Sequence, residues 1–179
     1  MSQKKAPKSV TFDLVAVGEI VWEHRVRMGG FPTPGGKASY RATELRAAGV
    51  AALCLDRATQ GQRVALAAVV GDDERDNRLV NQLQAAGVNV TALLRCHGFE
   101  PAERWVFEEG ETGCCTTVAE ETGGYPPEAL RADWVASGRE LWVDSDGSAA
   151  AQRAIAMAQA AGVPVRSLAA LRVNHLHGQ

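Results

Sequence analysis

Short apolar runs alternate with amphipathic segments along this chain, which is the pattern of an α/β sheet. Residues 64–70 are almost purely apolar, as expected of a strand that is buried on both faces. Leu79, Leu83 and Ala86 then recur at helical spacing, with Asn, Arg and Gln between them. The stretch 61–90 therefore predicts a strand, a helix and the start of a second strand, the repeating unit of a layered α/β fold.

Further apolar runs predict other strands of the same sheet. These are residues 12–17, residues 140–144 and a segment that starts at Val163. Two Ala-rich stretches, 47–58 and 148–161, predict helices that pack closely on the sheet. We therefore expect a core of parallel strands covered by helices.

Other segments alternate polar and apolar residues, as half-exposed strands do. The turn-rich segment 29–36 separates two of them, and the turn 109–113 separates two more; the four are residues 25–28, 37–45, 104–107 and 114–118. We expect two β-hairpins, the first of which projects from the main sheet. Residues 128–134 follow Pro127 and predict a short helix.

Composition narrows the class of protein. The chain has 179 residues, of which 46% are apolar, and a net charge of −2 with no basic stripe, so we expect no nucleic-acid partner and no anionic membrane surface. No apolar run approaches a membrane span, and the first nine residues lack the apolar region of a signal peptide.

The four cysteines lack metal-site spacing. We interpret them as reduced, mostly buried thiols of a cytoplasmic protein, with redox sensing as the alternative.

Gly36-Lys37 is similar to the end of a phosphate-binding P-loop, but the rest of that pattern fails. Phe31 stands where the first glycine is needed, and Ala38 stands where Ser or Thr would hold the magnesium ion. We therefore predict no P-loop.

Four blocks of sequence are similar to one protein family. They are DLVAVGEI near the start, FPTPGGKA, GQRVALAAVVGDDERDNRLVNQLQAAGVNV, and ELWVDSDGS followed by a predicted helix and AGVPV. Over residues 13–165 the chain resembles the N-terminal half of the PfkB-type carbohydrate kinases, the ribokinase-like family. The turn EGET and the short strand WVD look most like the ketohexokinase-like branch.

The resemblance implies a fold and an organisation. It implies a mainly parallel, three-layer α/β core with a small β lid, C-terminally truncated. Residues 10–165 would form the N-terminal part of this domain, with lid segments near 24–46 and 103–118, and residues 166–179 would be an irregular tail. A homodimer formed through the lid is a further hypothesis.

The resemblance further implies ATP-dependent phosphorylation of a sugar hydroxyl, with ATP and Mg²⁺ as cofactors and a small sugar as partner. This chemistry needs a base for the hydroxyl proton and donors that neutralise the migrating phosphoryl group. In the family these groups lie in a Gly-Ala-Gly-Asp motif of the C-terminal half. No such string occurs in this sequence, so we assign no catalytic residue and expect no turnover by this polypeptide alone.

The sugar contacts implied by the resemblance are Glu23, Gly49, Asp144 and Asp146. Glu23 stands where the family has an acidic residue, usually Asp, shortly after the first strand. The family's Gly-Gly-x-x-x-Asn stretch falls on Ala48-Gly49 through about Ala52, so that one glycine and the asparagine are missing. A sugar hydroxyl left without that partner in a closed site costs ~1–3 kcal/mol.

Each candidate also has a structural interpretation. Glu23 could be a solvated loop acid, and the neighbouring His24 an exposed loop histidine rather than a base. Asp144 and Asp146 could form a turn and helix cap with Gly147-Ser148. The pair Asp72-Asp73 is interpreted as capping the helix after it rather than as catalytic.

His175 and His177 have a spacing that can bind a metal ion, but no acid or cysteine accompanies them. We therefore interpret both as tail residues and predict no metal site.

Three hypotheses for the whole chain remain: a carbohydrate kinase polypeptide, a non-catalytic sugar-binding or dimerising fragment, and a generic nucleotide-binding α/β domain. The missing P-loop and the missing GxGxxG count against the third.

Overall fold

The computed structural model describes residues 10–110, 115–119, 124–144 and 147–168. Within these ranges the chain forms ten strands, four α-helices and one 3₁₀ turn, Pro127–Ala129. The strands are β1 (Phe12–Val17), β2 (Ile20–Met28), β3 (Tyr40–Ala48), β4 (Val64–Ala67), β5 (Val69–Val70), β6 (Leu94–Arg95), β7 (Ala102–Glu109), β8 (Cys115–Ala119), β9 (Gly138–Val143) and β10 (Val165–Ser167). The helices are α1 (Gly49–Thr59), α2 (Glu74–Ala85), α3 (Ala132–Val135) and α4 (Ala149–Ala161).

The main sheet has the strand order β10-β9-β1-β4, and every neighbouring pair is parallel. Alternate residues of β1 serve the two faces: Leu14 packs with α1 and α2, whereas Val15 and Val17 pack with α3 and α4. Helices therefore cover both faces of a buried parallel sheet, which explains the consecutive apolar residues 14–17, 64–67 and 141–143. The predicted three-layer, mainly parallel α/β architecture is confirmed.

The helix ends follow from local sequence. The Asp73 carboxylate accepts a hydrogen bond from the backbone N–H of Asp76 at 2.7 Å, so it caps α2 as predicted. The Ser148 hydroxyl caps α4 by accepting from the N–H of Ala151 at 3.1 Å, and Gly162 ends that helix in the left-handed region at φ 70°. These contacts satisfy backbone groups that the helices leave unpaired.

A second sheet, which we call the lid sheet, consists of β3, β2, β7 and β8 in that order. The β2/β3 and β7/β8 pairs are antiparallel hairpins, as the sequence predicts, and the parallel β2/β7 pair joins the two hairpins into one sheet. Both early strands extend beyond the predicted bounds, since β2 begins at Ile20 and β3 ends at Ala48. α1 begins at Gly49, within the Ala-rich stretch 47–58 that predicts a helix.

Three predictions of local structure are wrong. The helix predicted over residues 128–134 is broken, because Leu130 and Arg131 are extended between the 3₁₀ turn and α3. His24 and Glu23 lie in β2 rather than in a loop. Residues 166 and 167, expected in an irregular tail, belong to β10 and pair with β9.

No helix in the described part of the chain is long and apolar enough to cross a membrane. His175 and His177 lie outside the described residues.

Candidate functional site

The carboxyl ends of β1 and β9 lie side by side, with Val17 in register with Val143. Asp144, the residue after β9, accepts a hydrogen bond from the backbone N–H of Glu19 at 2.6 Å. A Cβ atom on Gly18 would lie 2.5 Å from the Asp144 carboxyl carbon, so only glycine lets the carboxylate approach this closely. Open α/β sheets bind ligands at this edge. Asp146, the fourth candidate contact, lies outside the described residues.

Gly49 lies at the same edge, where β3 passes into α1. Its φ is +65°, and a Cβ atom there would lie 3.2 Å from the Glu19 carbonyl oxygen. Both the positive φ and the close backbone approach favour glycine. The structure therefore brings Gly49 and Asp144 together around the backbone of Glu19.

Glu19 is a residue of this site that the sequence analysis did not single out. The side chain extends toward residue 124, because a Cβ atom on Gly124 would lie 3.2 Å from Glu19 Oε1. Its position two residues after the end of a buried strand is the signal that could have identified it.

A cavity of about 450 Å³ adjoins this edge. It lies at β5 and β6, and Gly124 borders both the cavity and the Glu19 carboxylate. Most of its lining is apolar and includes Phe99 and Pro126. The volume falls in the range of small-molecule sites, of about 300–1,000 Å³.

Glu23 occupies a different environment from the other candidates. Its carboxylate, only 3% exposed, accepts hydrogen bonds from Arg25 Nε at 2.8 Å, from Arg46 Nη2 at 2.7 Å and from Arg104. Burial raises the pKa of Glu23, but the hydrogen bonds from the three arginines outweigh it and lower this pKa from 4.5 to about 2. The interpretation of Glu23 as a solvated acid is therefore wrong, and both of its oxygens already accept hydrogen bonds within the lid sheet.

Asp72, at the start of the loop before α2, pairs with His97 and accepts a longer hydrogen bond from the Gly98 N–H at 3.4 Å. The His97 ring holds the pKa of Asp72 below its ordinary value, and Asp72 in turn raises the pKa of His97. This exposed pair ties the loop after β6 to the loop before α2.

The described side chains decide whether this chain can hold a metal cofactor. Among the residues that the structure describes, no group of three or more His, Cys, Asp or Glu side chains is placed to hold a metal ion. These residues therefore do not form a Mg²⁺ site by themselves.

Comparison with solved structures identifies the architecture. A ribokinase from Cryptococcus neoformans var. grubii serotype A in complex with ADP superimposes with a TM-score of 0.71 at 17% identity, covering 88% of this chain and 50% of that chain. Ribokinase from Arabidopsis thaliana complexed with ribose and ATP gives 0.66 at 17% identity, over 87% of this chain and 53% of that chain. The fold is that of the ribokinase-like sugar kinases.

A PfkB protein from Polaromonas sp. JS666 gives a TM-score of 0.65 at 16% identity and covers 88% of this chain and 55% of that chain. The chain thus spans about half the length of the solved structures that it matches. No family model matches the sequence, and no curated protein matches it either. At these identities the likeness is one of fold, which confirms the fold that the sequence motifs predict; the ketohexokinase-like branch stays a prediction.

Proposed function

We propose that this chain is the substrate-binding part of a cytoplasmic, ATP-dependent carbohydrate kinase. One observation carries the proposal: the lid sheet leaves the parallel sheet at the edge where Asp144 and Gly49 converge on Glu19. The neighbouring cavity offers room for a small ligand. The solved ribokinase of the same fold from Arabidopsis thaliana is a complex with ribose and ATP, which supports a sugar as the ligand of this edge.

Each of the four candidate residues has a role in the proposal. The carboxylates of Asp144 and Asp146 accept hydrogen bonds from sugar hydroxyl groups. Gly49 allows the sugar to approach the backbone, since it has no side chain. Glu23 accepts hydrogen bonds from three arginines and thereby fixes the positions of their side chains in the lid sheet beside the proposed site.

ATP would supply the phosphoryl group, and Mg²⁺ bound to its phosphates would neutralise part of their charge. We assign neither a catalytic base nor a nucleotide site to this chain. The Gly-Ala-Gly-Asp string occurs nowhere in its 179 residues. The polypeptide alone is therefore expected to bind a sugar without turning over ATP.

A thermal-shift titration of the purified chain with hexoses and pentoses, with and without Mg-ATP, tests this function. A ligand that binds the native state raises the melting temperature by mass action. The shift should fall in Asp144→Asn and persist in Asp133→Asn, which removes an exposed charge paired with Arg131. Absence of any sugar-dependent shift contradicts the proposed function, and sugar-dependent release of ADP contradicts the expected lack of turnover.

A second proposal concerns the face of the lid sheet on which Trp22 lies, where that face extends beyond the contact of Trp22 with α2. The His24 ring stacks on Trp105 with centroids 4.0 Å apart, and Trp105 stacks on Phe107 at 6.3 Å. Trp105 is 40% exposed and Leu45 is 48% exposed. An exposed apolar and aromatic patch is typical of protein interfaces, and we propose that a second copy of this chain covers it.

Light scattering after size-exclusion chromatography measures this association. We expect a dimer that Trp105→Ser dissociates, whereas Val10→Ser, another exposed apolar residue outside the lid sheet, leaves it intact. A monomer at high concentration for the unmodified chain would exclude the lid interface without affecting the sugar site.

A further inference from the structure

The cavity beside the candidate site differs from that site in its chemistry. Its walls include Val69 and Leu94, which lie opposite each other in the β5/β6 pair, and Phe99 and Pro126 from two loops. All four side chains are apolar. A cavity of about 450 Å³ with mostly apolar walls has room for a small ring compound.

The described walls of this cavity offer a sugar few hydrogen-bond partners. The polar side chains among them are those of Arg95 and Cys96, and Arg95 Nη1 already donates to the Gly71 carbonyl oxygen at 2.8 Å. The backbone N–H groups of Leu94, Cys96 and Phe99 donate to carbonyl oxygens of the protein. A sugar hydroxyl left unpaired there weakens binding about tenfold, whereas an apolar ring gains by leaving water.

Two residues of the cavity wall contact the backbone of Gly71, the residue after β5. Arg95 donates to its carbonyl oxygen, and a Cβ atom on Gly71 would overlap the carbonyl oxygen of Phe99. The same Cβ atom would lie 2.6 Å from Asp76 Oδ2. Gly71 is therefore enclosed between the cavity wall and α2, and a shift of the wall displaces it.

Asp76 connects Gly71 to the lid sheet. Its Oδ2 atom accepts from the Gly71 N–H at 2.7 Å, and its Oδ1 atom accepts from the indole N–H of Trp22 at 2.9 Å. Asp76 is fully buried, so loss of either hydrogen bond leaves a carboxylate oxygen without that donor and without water to replace it. Because Trp22 belongs to β2, direct contacts run from the cavity wall through Gly71 and Asp76 to the lid sheet.

From this arrangement we infer that the cavity binds a small apolar ring compound, and that its occupancy is linked to the lid sheet through Gly71, Asp76 and Trp22. A ring that packs on Phe99 and on the aliphatic part of Arg95 restricts both residues and, with them, Gly71. The two hydrogen bonds of Asp76 pass this restriction to Trp22. By linkage, a more rigid lid sheet binds the ring more tightly. The inference goes beyond the proposed function, because the sugar hydroxyls are assigned to the edge at Asp144.

Protection of Cys96 from alkylation measures occupancy of the cavity. Cys96 is exposed and lines the cavity, whereas burial raises the pKa of the Cys54 thiol to about 12, so Cys54 serves as an unreactive internal control. The full chain is treated with iodoacetamide alone or with indole, cyclohexanol, ribose or Mg-ATP, and the Cys96 peptide is quantified by mass spectrometry. We expect both ring compounds at saturation to slow alkylation at least fivefold, and ribose and Mg-ATP to leave it unchanged.

Variants of the cavity wall test where the ring binds. Leu94→Trp fills the cavity with a side chain and should abolish protection by indole. Phe99→Ala removes an aromatic wall and should weaken indole binding at least tenfold in a calorimetric titration. Phe31→Ala is the matched control, since Phe31 is 37% exposed and does not belong to the described lining. Circular dichroism of each variant confirms that the fold is retained.

Hydrogen–deuterium exchange measures the link to the lid sheet. Indole at saturation should slow exchange of the amide groups of β2 and β7 at least threefold in the unmodified chain. Trp22→Phe leaves the cavity lining intact, so indole should still protect Cys96 but should no longer slow exchange in the lid sheet. Trp105→Phe, at an exposed tryptophan of the same sheet, is the matched control and should retain the effect.

Each outcome supports or overturns a part of the inference. Alkylation of Cys96 that neither ring compound slows overturns the binding site. Protection by ribose that displaces indole also overturns it, because the cavity then belongs to the sugar site and the proposed function gains support. A lid effect of indole that is absent from the unmodified chain, or that persists in Trp22→Phe, overturns the link through Asp76. Protection by indole without any sugar-dependent thermal shift supports the inference and contradicts the proposed function.

Discussion

Trp22 of the lid sheet donates its indole N–H to the carboxylate of Asp76 on α2, at 2.9 Å. Asp76 is fully buried, and its second oxygen accepts from the backbone N–H of Gly71 at 2.7 Å. The neighbouring Arg75 stacks its guanidinium group on the Trp22 ring at 5.0 Å and forms an ion pair with Glu103 of β7 at 2.8 Å. The first turn of α2 thus holds the base of the lid sheet against the core.

Replacing either member of this pair should destabilise the protein. Trp22→Phe leaves a buried carboxylate oxygen without its donor, at a cost of ~1–3 kcal/mol. Asp76→Asn replaces one of the two accepting oxygens by an NH₂ donor, so that one of the two hydrogen bonds is lost at a similar cost. Urea denaturation followed by circular dichroism measures the loss in the free energy of unfolding. Asp133→Asn, at an exposed site, is the matched control and should change stability little. Unfolding midpoints for both pair variants equal to that of the control would contradict the role of the pair.

The pH dependence of stability should reflect Glu23. Its pKa in the folded state is about 2, below the ordinary value of 4.5, because the hydrogen bonds from three arginines outweigh the opposing effect of burial. The unfolded state therefore binds the proton more readily, and the stabilisation is complete above pH 4.5 and is lost as the pH falls from 4.5 toward 2. The free energy of unfolding, measured across this range, should fall less steeply in Glu23→Gln.

Asp13 contributes to the pH dependence of stability over an overlapping pH range, since its hydrogen bonds with Arg63 lower the pKa of Asp13 to about 2. Asp13→Asn is therefore measured beside Glu23→Gln, and the double variant should show the flattest profile. An unchanged slope in Glu23→Gln would mean that the arginines do not stabilise the charged form.

Gly18→Ala should disturb the candidate site directly. The added methyl group would lie 2.5 Å from the Asp144 carboxyl carbon, so that Asp144 must move away from the Glu19 N–H. Such overpacking costs about 1–3 kcal/mol, and sugar binding should weaken with it. Gly110→Ala, where the nearest atom of the described residues outside its immediate chain neighbours is the Met28 carbonyl oxygen at 4.0 Å, should affect neither stability nor binding. Unaltered sugar affinity in Gly18→Ala would separate Asp144 from the sugar site.

The exposed pair of His97 and Asp72 offers a direct spectroscopic test. Asp72 raises the pKa of His97 above its ordinary value of 6.5 by a hydrogen bond and by its charge. NMR titration should show this pKa falling toward 6.5 in Asp72→Asn. The pair stabilises the fold fully below pH 6.5, and its contribution is lost as the pH rises through the raised pKa. An identical titration curve in the variant would show that the pair does not form in solution.

Local sequence was sufficient where neighbours in the chain determine the structure. The spacing of Leu79 and Leu83 predicted α2, and Asp73 caps that helix through a backbone group only three residues away. The apolar residues 14–17 predicted the buried part of β1, because a strand buried on both faces is apolar at consecutive positions. The resemblance to a family added the mainly parallel three-layer core and the small β lid, and the solved structures of the same fold confirm that architecture.

The environment of Glu23 could not be predicted in this way. Its arginine partners on β3 and β7 are 23 and 81 residues away along the chain. The sequence analysis placed Glu23 in a loop because the segment around it lacks a continuous apolar pattern; it becomes a strand by pairing with β3 on one side and β7 on the other. The same strand pairing determines how exposed the Glu23 side chain is and which charged side chains lie next to it.

The sequence alone therefore determined the elements that a local pattern encodes: the buried strands, the amphipathic helix, the caps and the fold class. Only the tertiary structure decided which side chains meet at the edge of the sheet, that Glu19 joins Gly49 and Asp144, and that the acid expected to contact a sugar is held by three arginines. The reason is physical. Helix periodicity and capping depend on residues within a few positions, whereas burial, charge pairing and strand register depend on segments that meet only when the chain folds.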